Sequence, residues 1–118
     1  MMLLEVEVVG QQVGAPPTEK LAERIAGGVG SAFGIPGGQL LVKVQKVSAS
    51  NFASNAAPSK MLPVFVRVLV RTKDPAVWPK RADVIANAIS EATSRERASV
   101  HVIFEPDATG RIFFGSAP

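Results

Sequence analysis

The chain contains the order strand, helix, strand twice, and this repeat constrains its fold more than any other feature. In each copy, two runs rich in Val and Leu flank a segment whose apolar residues recur at helical spacing. Alternating apolar and polar residues predict strands over about residues 3–9, 39–47, 63–70 and 99–104. The apolar stripes predict one helix that begins near Thr18 and a second that begins at either Pro75 or Trp78. The pseudo-repeats are therefore about 1–58 and 59–118.

Two such units favour an α/β fold of the two-layer α+β type, with a four-stranded mixed sheet and both helices on one face. Crossovers of this kind are right-handed, so the two strands of each unit are expected to be parallel. A chain of 118 residues suits one core, and we expect a single domain over 1–118. The other sheet face would mix charges with Leu and Phe, which suits burial against further subunits.

Composition excludes several classes of site. The chain has no cysteine and one histidine, which excludes disulfides, thiolate zinc sites and a multi-histidine metal centre within one chain. Nothing in the sequence requires a metal or other cofactor. The apolar runs are too short to span a membrane and the start lacks a signal-peptide pattern, so we expect a cytoplasmic protein.

The charge pattern argues against nucleic acid as a partner. The net charge of +3 comes from scattered Lys and Arg residues, and aromatic residues are few. Nucleic-acid binding usually needs a clustered basic face with stacking side chains. A few basic side chains directed into a pocket for a small anion are the better expectation.

Two segments of the second unit carry a resemblance to a known family. They are Ser99-Val100-His101-Val102-Ile103 and the tail Gly110-Arg111-Ile112-Phe113-Phe114-Gly115. With the duplicated topology and the length, they make most of the chain resemble the tautomerase superfamily, the group of 4-oxalocrotonate tautomerase and macrophage migration inhibitory factor. The resemblance implies a homotrimer with active sites between subunits, near the strand starts. It also implies a small 2-oxo or enol carboxylate as substrate.

The residue that carries the family's chemistry is not where the resemblance predicts it. The catalytic group there is an N-terminal proline, whose secondary amine has a depressed pKa and moves protons near neutral pH. This chain begins Met1-Met2-Leu3, and the bulky second residue should prevent removal of Met1. Pro63 matches the start of the second unit's first strand. Its nitrogen is an amide without a basic lone pair, so it cannot replace the amine.

Three interpretations of the N-terminus stay open. The primary amine of Met1, with a pKa of about 7.7–8.0, could act as a base or form an imine with a carbonyl substrate. The pocket could instead bind a small anion without turnover. The trimer could also serve as a structural or interaction module.

The resemblance also implies anion contacts. Lys43 and His101 are matched across the repeat, at a strand position where the short tautomerases have a substrate-binding arginine. Lys43 would keep the charge without the bidentate fork, and His101 would carry charge only when protonated. Arg67 and Arg71 lie near the place of another carboxylate-binding arginine. The alternative is that these side chains lie on the inter-subunit sheet face or are solvated at strand ends.

Three further residues complete the candidate site. Arg111 lies in the tail, which would cover a neighbouring site, or it forms a surface salt bridge. Phe52 and Phe113 would wall the pocket, or simply pack. The leading prediction is a tautomerase-like isomerase with Met1 as the catalytic residue. The rivals are a non-catalytic trimeric binding or interaction protein and a ligand-sensing domain of ferredoxin-like type, which is usually a dimer.

Overall fold

The computed structural model describes residues 2–10, 20–55, 62–70, 75–105, 113 and 115. It confirms the duplicated order of elements. These are β1 (Met2–Val9), α1 (Leu21–Phe33), β2 (Leu40–Val47), β3 (Val64–Val70), α2 (Trp78–Thr93) and β4 (Val100–Phe104). Short 3-10 helices lie at Ala49–Asn51, Pro75–Val77 and Arg97–Ser99.

The four strands form one mixed sheet in the order β2-β1-β3-β4. Within each unit the two strands are parallel, as the crossover argument predicts. The units join through β1 and β3, which pair antiparallel with Val6 opposite Val66. The fold is therefore the predicted α+β arrangement, with β2 and β4 at the edges of the sheet.

The core lies between the sheet and the helices. Strand residues alternate between two faces, so every second residue of β1 and β3 is buried: Leu4, Val6, Val8, Val64, Val66 and Val68. The helices contribute Ile25, Val29, Ile85 and Ile89 from their apolar stripes. Burial of each such side chain stabilises the fold by roughly 1.5–3 kcal/mol.

The glycines inside α1 are not required by close packing. A Cβ added at Gly28 would lie 3.7 Å from the Cβ of Ala88 in α2, which is an ordinary van der Waals contact. A Cβ at Gly30 would lie 4.0 Å from a methyl of Leu40 in β2, and one at Gly27 would meet nothing within 4 Å. Each of the three positions therefore has room for an alanine.

The helix boundaries follow backbone chemistry. α1 begins at Leu21 with Lys20 at the N-cap position, whereas the predicted start at Thr18 lies outside the described residues. α2 begins at Trp78 with Pro79 in its first turn, where the missing N–H costs no helical hydrogen bond. The C-cap residues of the helices are Gly34 and Ser94, and both have a left-handed backbone, with φ of 63° and 56°.

The helix ends fix how the two units correspond. Gly34 and Ser94 are sixty residues apart, as are the starts of β2 and β4 at Leu40 and Val100. Met2 pairs with Leu40 as Val64 pairs with Val100. Pro63, directly before β3, therefore corresponds in sequence position to Met1.

The same correspondence corrects one prediction. It matches His101 with Leu41, and Lys43 with Ile103. The predicted match between Lys43 and His101 is therefore wrong by two residues. The reason is that a two-residue shift leaves strand alternation unchanged, so the sequence pattern could not detect the error.

Candidate functional site

The sheet face opposite the helices carries three of the predicted site residues, Lys43, Arg67 and His101, in rows across the strands. One row runs from Lys43 through Glu5 and Arg67 to Ile103. The next row holds Gln45, Glu7, Phe65 and His101. These side chains point the same way because they share the strand alternation that buries their neighbours.

Arg67 has its charge balanced within the chain. Its Nη2 lies 2.7 Å from Oε1 of Glu105, and its Nε donates to the same oxygen at 2.8 Å. Its Nη1 lies 3.5 Å from Oε2 of Glu5. The hydrogen bond and the charge of Glu105 are the main causes that raise the pKa of Arg67. Any carboxylate ligand would therefore compete with two glutamates for this guanidinium.

His101 belongs to an aromatic cluster. Its ring stacks on the ring of Phe65 with centroids 5.5 Å apart. The ring centroid of Phe52 lies 6.2 Å from that of Phe65. The row of His101 crosses β1 at Glu7, five residues from Met2, which is about 17 Å along a strand. Within one chain, His101 and Phe52 therefore lie far from the start of β1.

The start of β1 is anchored by its neighbours. Met2 is 6% exposed, pairs with Leu40 and Val70, and donates its N–H to the carbonyl of Gln39 at 2.9 Å. Met1, Arg71 and Arg111, which the sequence assigns to the site, lie outside the described residues. Phe113 is 84% exposed, so in the single chain it does not wall a pocket.

Arg95 closes the other end of the central strand pair, and the sequence analysis did not predict it as a site residue. It is 5% exposed. Its Nη1 donates to the carbonyls of Val9 and Leu62, each at 2.8 Å, and its Nη2 donates to that of Gly10 at 3.1 Å. Burial lowers the pKa of the guanidinium. A basic residue directly after a helix end was the only signal in the sequence.

Arg95 has no acidic partner in the part of the chain that the structure describes. Its counterpart sixty residues earlier is Ile35, which donates its backbone N–H to Gly30 at the end of α1. At equivalent positions of the two units, Arg95 therefore forms hydrogen bonds to three carbonyls, whereas Ile35 has an apolar side chain.

The described ranges contain neither a metal-binding cluster nor a membrane-spanning helix. Within them, no group of three or more His, Asp or Glu side chains could hold a metal ion. No helix in those ranges is long and apolar enough to cross a membrane.

Comparison with solved structures supplies a fold assignment. A wild-type fused 4-OT that forms a symmetric trimer has a TM-score of 0.75 at 15% identity, covering 98% of this chain and 94% of the other. Malonate semialdehyde decarboxylase has a TM-score of 0.67 at 15% identity, with coverage of 98% and 92%. Pt0534 inactivated by 2-oxo-3-pentynoate has a TM-score of 0.67 at 15% identity, with coverage of 87% and 84%.

The chain has the tautomerase fold. No protein-family model matches the sequence, and no curated protein is significantly similar to it. At this level of identity the structural similarity establishes the fold and leaves the chemistry to be argued from the residues.

In this tautomerase fold, four of the predicted site residues that the structure describes form two groups. Lys43 and Arg67 flank Glu5 in one row across the strands, and Phe52 and His101 both contact Phe65. His101 lies about 17 Å along the strands from the row of Met2. A site that combined His101 with the start of β1 would therefore use residues from more than one chain.

Proposed function

We propose that this chain is a tautomerase-like isomerase that acts as a homotrimer on a small 2-oxo or enol carboxylate. Its catalytic group is the α-amine of Met1. The observation that carries the proposal is the anchoring of Met2, whose N–H bonds to Gln39 and whose backbone lies between β2 and β3. Met2, the residue bonded to Met1, is therefore held in the sheet and limits how far the amine of Met1 can move. The single domain 1–118 and a cytoplasmic location belong to the same proposal.

The chemistry is a proton transfer. A primary α-amine has a pKa of about 7.7–8.0, so a substantial fraction is neutral near pH 7.5. In ketonisation, the neutral amine takes the enol hydroxyl proton and becomes an ammonium. The ammonium then gives this proton to the carbon as the C=C electron pair forms the new C–H bond, which restores the neutral amine. One proton moves from oxygen to carbon, and a C=O bond replaces the C=C bond.

The carboxylate of the substrate needs cationic contacts close to the amine. The candidate contacts are the basic and aromatic side chains predicted from the sequence: Lys43, Arg67, Arg71, His101, Arg111, Phe52 and Phe113. His101 is about 17 Å along the strands from the row of Met2. Its contribution therefore requires a neighbouring copy, which supports a trimer with the site between subunits.

Ketonisation of phenylenolpyruvate, followed by ultraviolet absorbance, tests the activity. We expect a rate above the buffer blank and a kcat/KM that rises with pH through about 8, as the amine loses its proton. Intact mass must show Met1 present with a free amine. A rate equal to the blank, with that N-terminus verified, would remove isomerase activity for this substrate class.

A proline in place of Met1 sharpens the test. We expect that this variant, expressed behind a new initiator Met that is removed, gains activity by about 10-fold or more, since a positioned acid–base group contributes 10²–10⁴-fold. The matched control is Pro63→Ala. Pro63 is buried and internal, so its replacement should leave the activity per folded molecule unchanged.

A second candidate function is a trimeric binding protein without turnover. The pairing of Arg67 with Glu5 and Glu105 favours it, because this cation is not free to polarise a substrate. Calorimetric binding of phenylpyruvate together with a blank-level ketonisation rate would support this candidate over the isomerase.

A further inference from the structure

Both edges of the sheet expose an apolar side chain on the face opposite the helices. Leu41 on β2 is 43% exposed and Ile103 on β4 is 47% exposed. Edge strands also leave unpaired backbone N–H and C=O groups, which makes them templates for pairing with another chain. An edge with a large apolar side chain is therefore better suited to contact than to solvent.

The charges on the same face alternate from one edge to the other. From β2 to the end of β4, they are Lys43, Glu5, Arg67 and Glu105. Arg67 pairs with the glutamates on both sides of it. Lys43 lies opposite Glu5 in the register and makes no ion pair within the described ranges. The row thus begins with a positive charge at the β2 edge and finishes with a negative charge at the β4 edge.

This polarity distinguishes between two ways in which copies could meet. A twofold contact places the same edge of both copies together, which brings Lys43 near Lys43 or Glu105 near Glu105. A head-to-tail contact places the β2 edge of one copy against the β4 edge of the next, which brings opposite charges together. Like charges across an interface are strongly unfavourable, so the charges select the head-to-tail contact.

We propose that Lys43 of one copy pairs with Glu105 at the β4 edge of the next copy, and that this pair sets a head-to-tail ring. The inference rests on the homotrimer of the proposed function and identifies which edges meet. Within one chain, Lys43 lies level with Ile103 across the sheet. When neighbouring copies keep this level, Glu105 of the next copy lies two residues farther along, within the diagonal reach of a long side chain, about 7–8 Å. Leu41 and Ile103 then shield each other beside the pair.

Charge reversal tests the pair. We expect Lys43→Glu and Glu105→Lys each to raise the protein concentration at which half of the chains are trimeric by at least about 10-fold. Light scattering with size-exclusion chromatography measures this concentration. The double variant K43E/E105K should recover assembly to within about 3-fold of the wild type. Circular dichroism checks folding, because Glu105→Lys also removes the partner of Arg67. Lys43→Glu breaks no ion pair among the residues that the structure describes.

Asp83→Lys is the matched control. Asp83 lies on α2, away from the sheet face, and forms an ion pair with Arg97. Its replacement by Lys reverses a charge in the same way and should leave assembly unchanged. If the wild type is a monomer or dimer, the homotrimer itself fails. If the wild type is a trimer but Lys43→Glu behaves like Asp83→Lys, or the double variant gives no recovery, the edge pair alone is overturned.

Discussion

The two ends of the central strand pair correspond to each other in the internal repeat, yet they are closed by different interactions. At the start of β1, backbone pairing holds Met2 against Gln39, and Ile35 occupies the position after the helix end. At the start of β3, Arg95 joins three carbonyls from two chain segments. The rigid fork of a guanidinium suits this task. The difference shows that corresponding ends of the two units are held in different ways, one by a backbone hydrogen bond and the other by a buried arginine.

The largest expected effect comes from removing the hydrogen bonds of Arg95. Arg95→Met leaves the carbonyls of Val9, Gly10 and Leu62 without their donor, and we expect a loss of about 3 kcal/mol in the free energy of unfolding. Urea denaturation measures it. Ile35→Met makes the same new side chain at the corresponding position and should cost less than about 1 kcal/mol. Equal losses for the two variants would show that the ends are held alike.

A smaller effect is expected from the turn that Arg95 holds. Gly10 has a φ of +66°, and an added Cβ would lie 3.2 Å from a methyl of Leu62. Gly10→Ala should therefore cost about 2 kcal/mol, from backbone strain and crowding together. Gly34 has a φ of +63° with nothing within 4 Å, so Gly34→Ala should cost about 1 kcal/mol. Thermal or urea unfolding in which both variants lose the same amount would remove the crowding argument.

The smallest effect concerns the two helix ends. Ser94 adopts a left-handed conformation that glycine takes without strain, so Ser94→Gly should raise the free energy of unfolding by about 0.5–1 kcal/mol. The reciprocal variant Gly34→Ser should lower it by a similar amount. Denaturation midpoints that move in the same direction for both variants would contradict the correspondence of these positions.

Sequence periodicity predicted the elements and faces well, because alternation follows directly from burial. Leu4, Val6 and Val8 are buried as their spacing predicts, and Glu5 and Glu7 lie on the opposite face. The parallel pairing within each unit followed from crossover handedness. The fold class and its two-layer arrangement therefore needed no tertiary information.

The candidate site was predicted less well, since it depends on contacts between distant segments. Nothing in the spacing shows that Glu105 lies within reach of Arg67, or that Phe65 stacks with both His101 and Phe52. Arg95 looked like an ordinary residue after a helix, because its three acceptors come from positions 33 to 86 residues away. The register between β3 and β4 places Phe65 opposite His101, and alternation does not determine that register.

The antiparallel seam between β1 and β3 has a consequence for folding kinetics. Val6 and Val66 are opposite each other although sixty residues separate them in the chain. Such distant pairing requires closure of a long loop before it gains any contact energy, and high contact order slows folding. Each β-α-β unit has shorter-range contacts of its own. The seam should therefore form late, and substitutions along it should speed unfolding more than they slow folding.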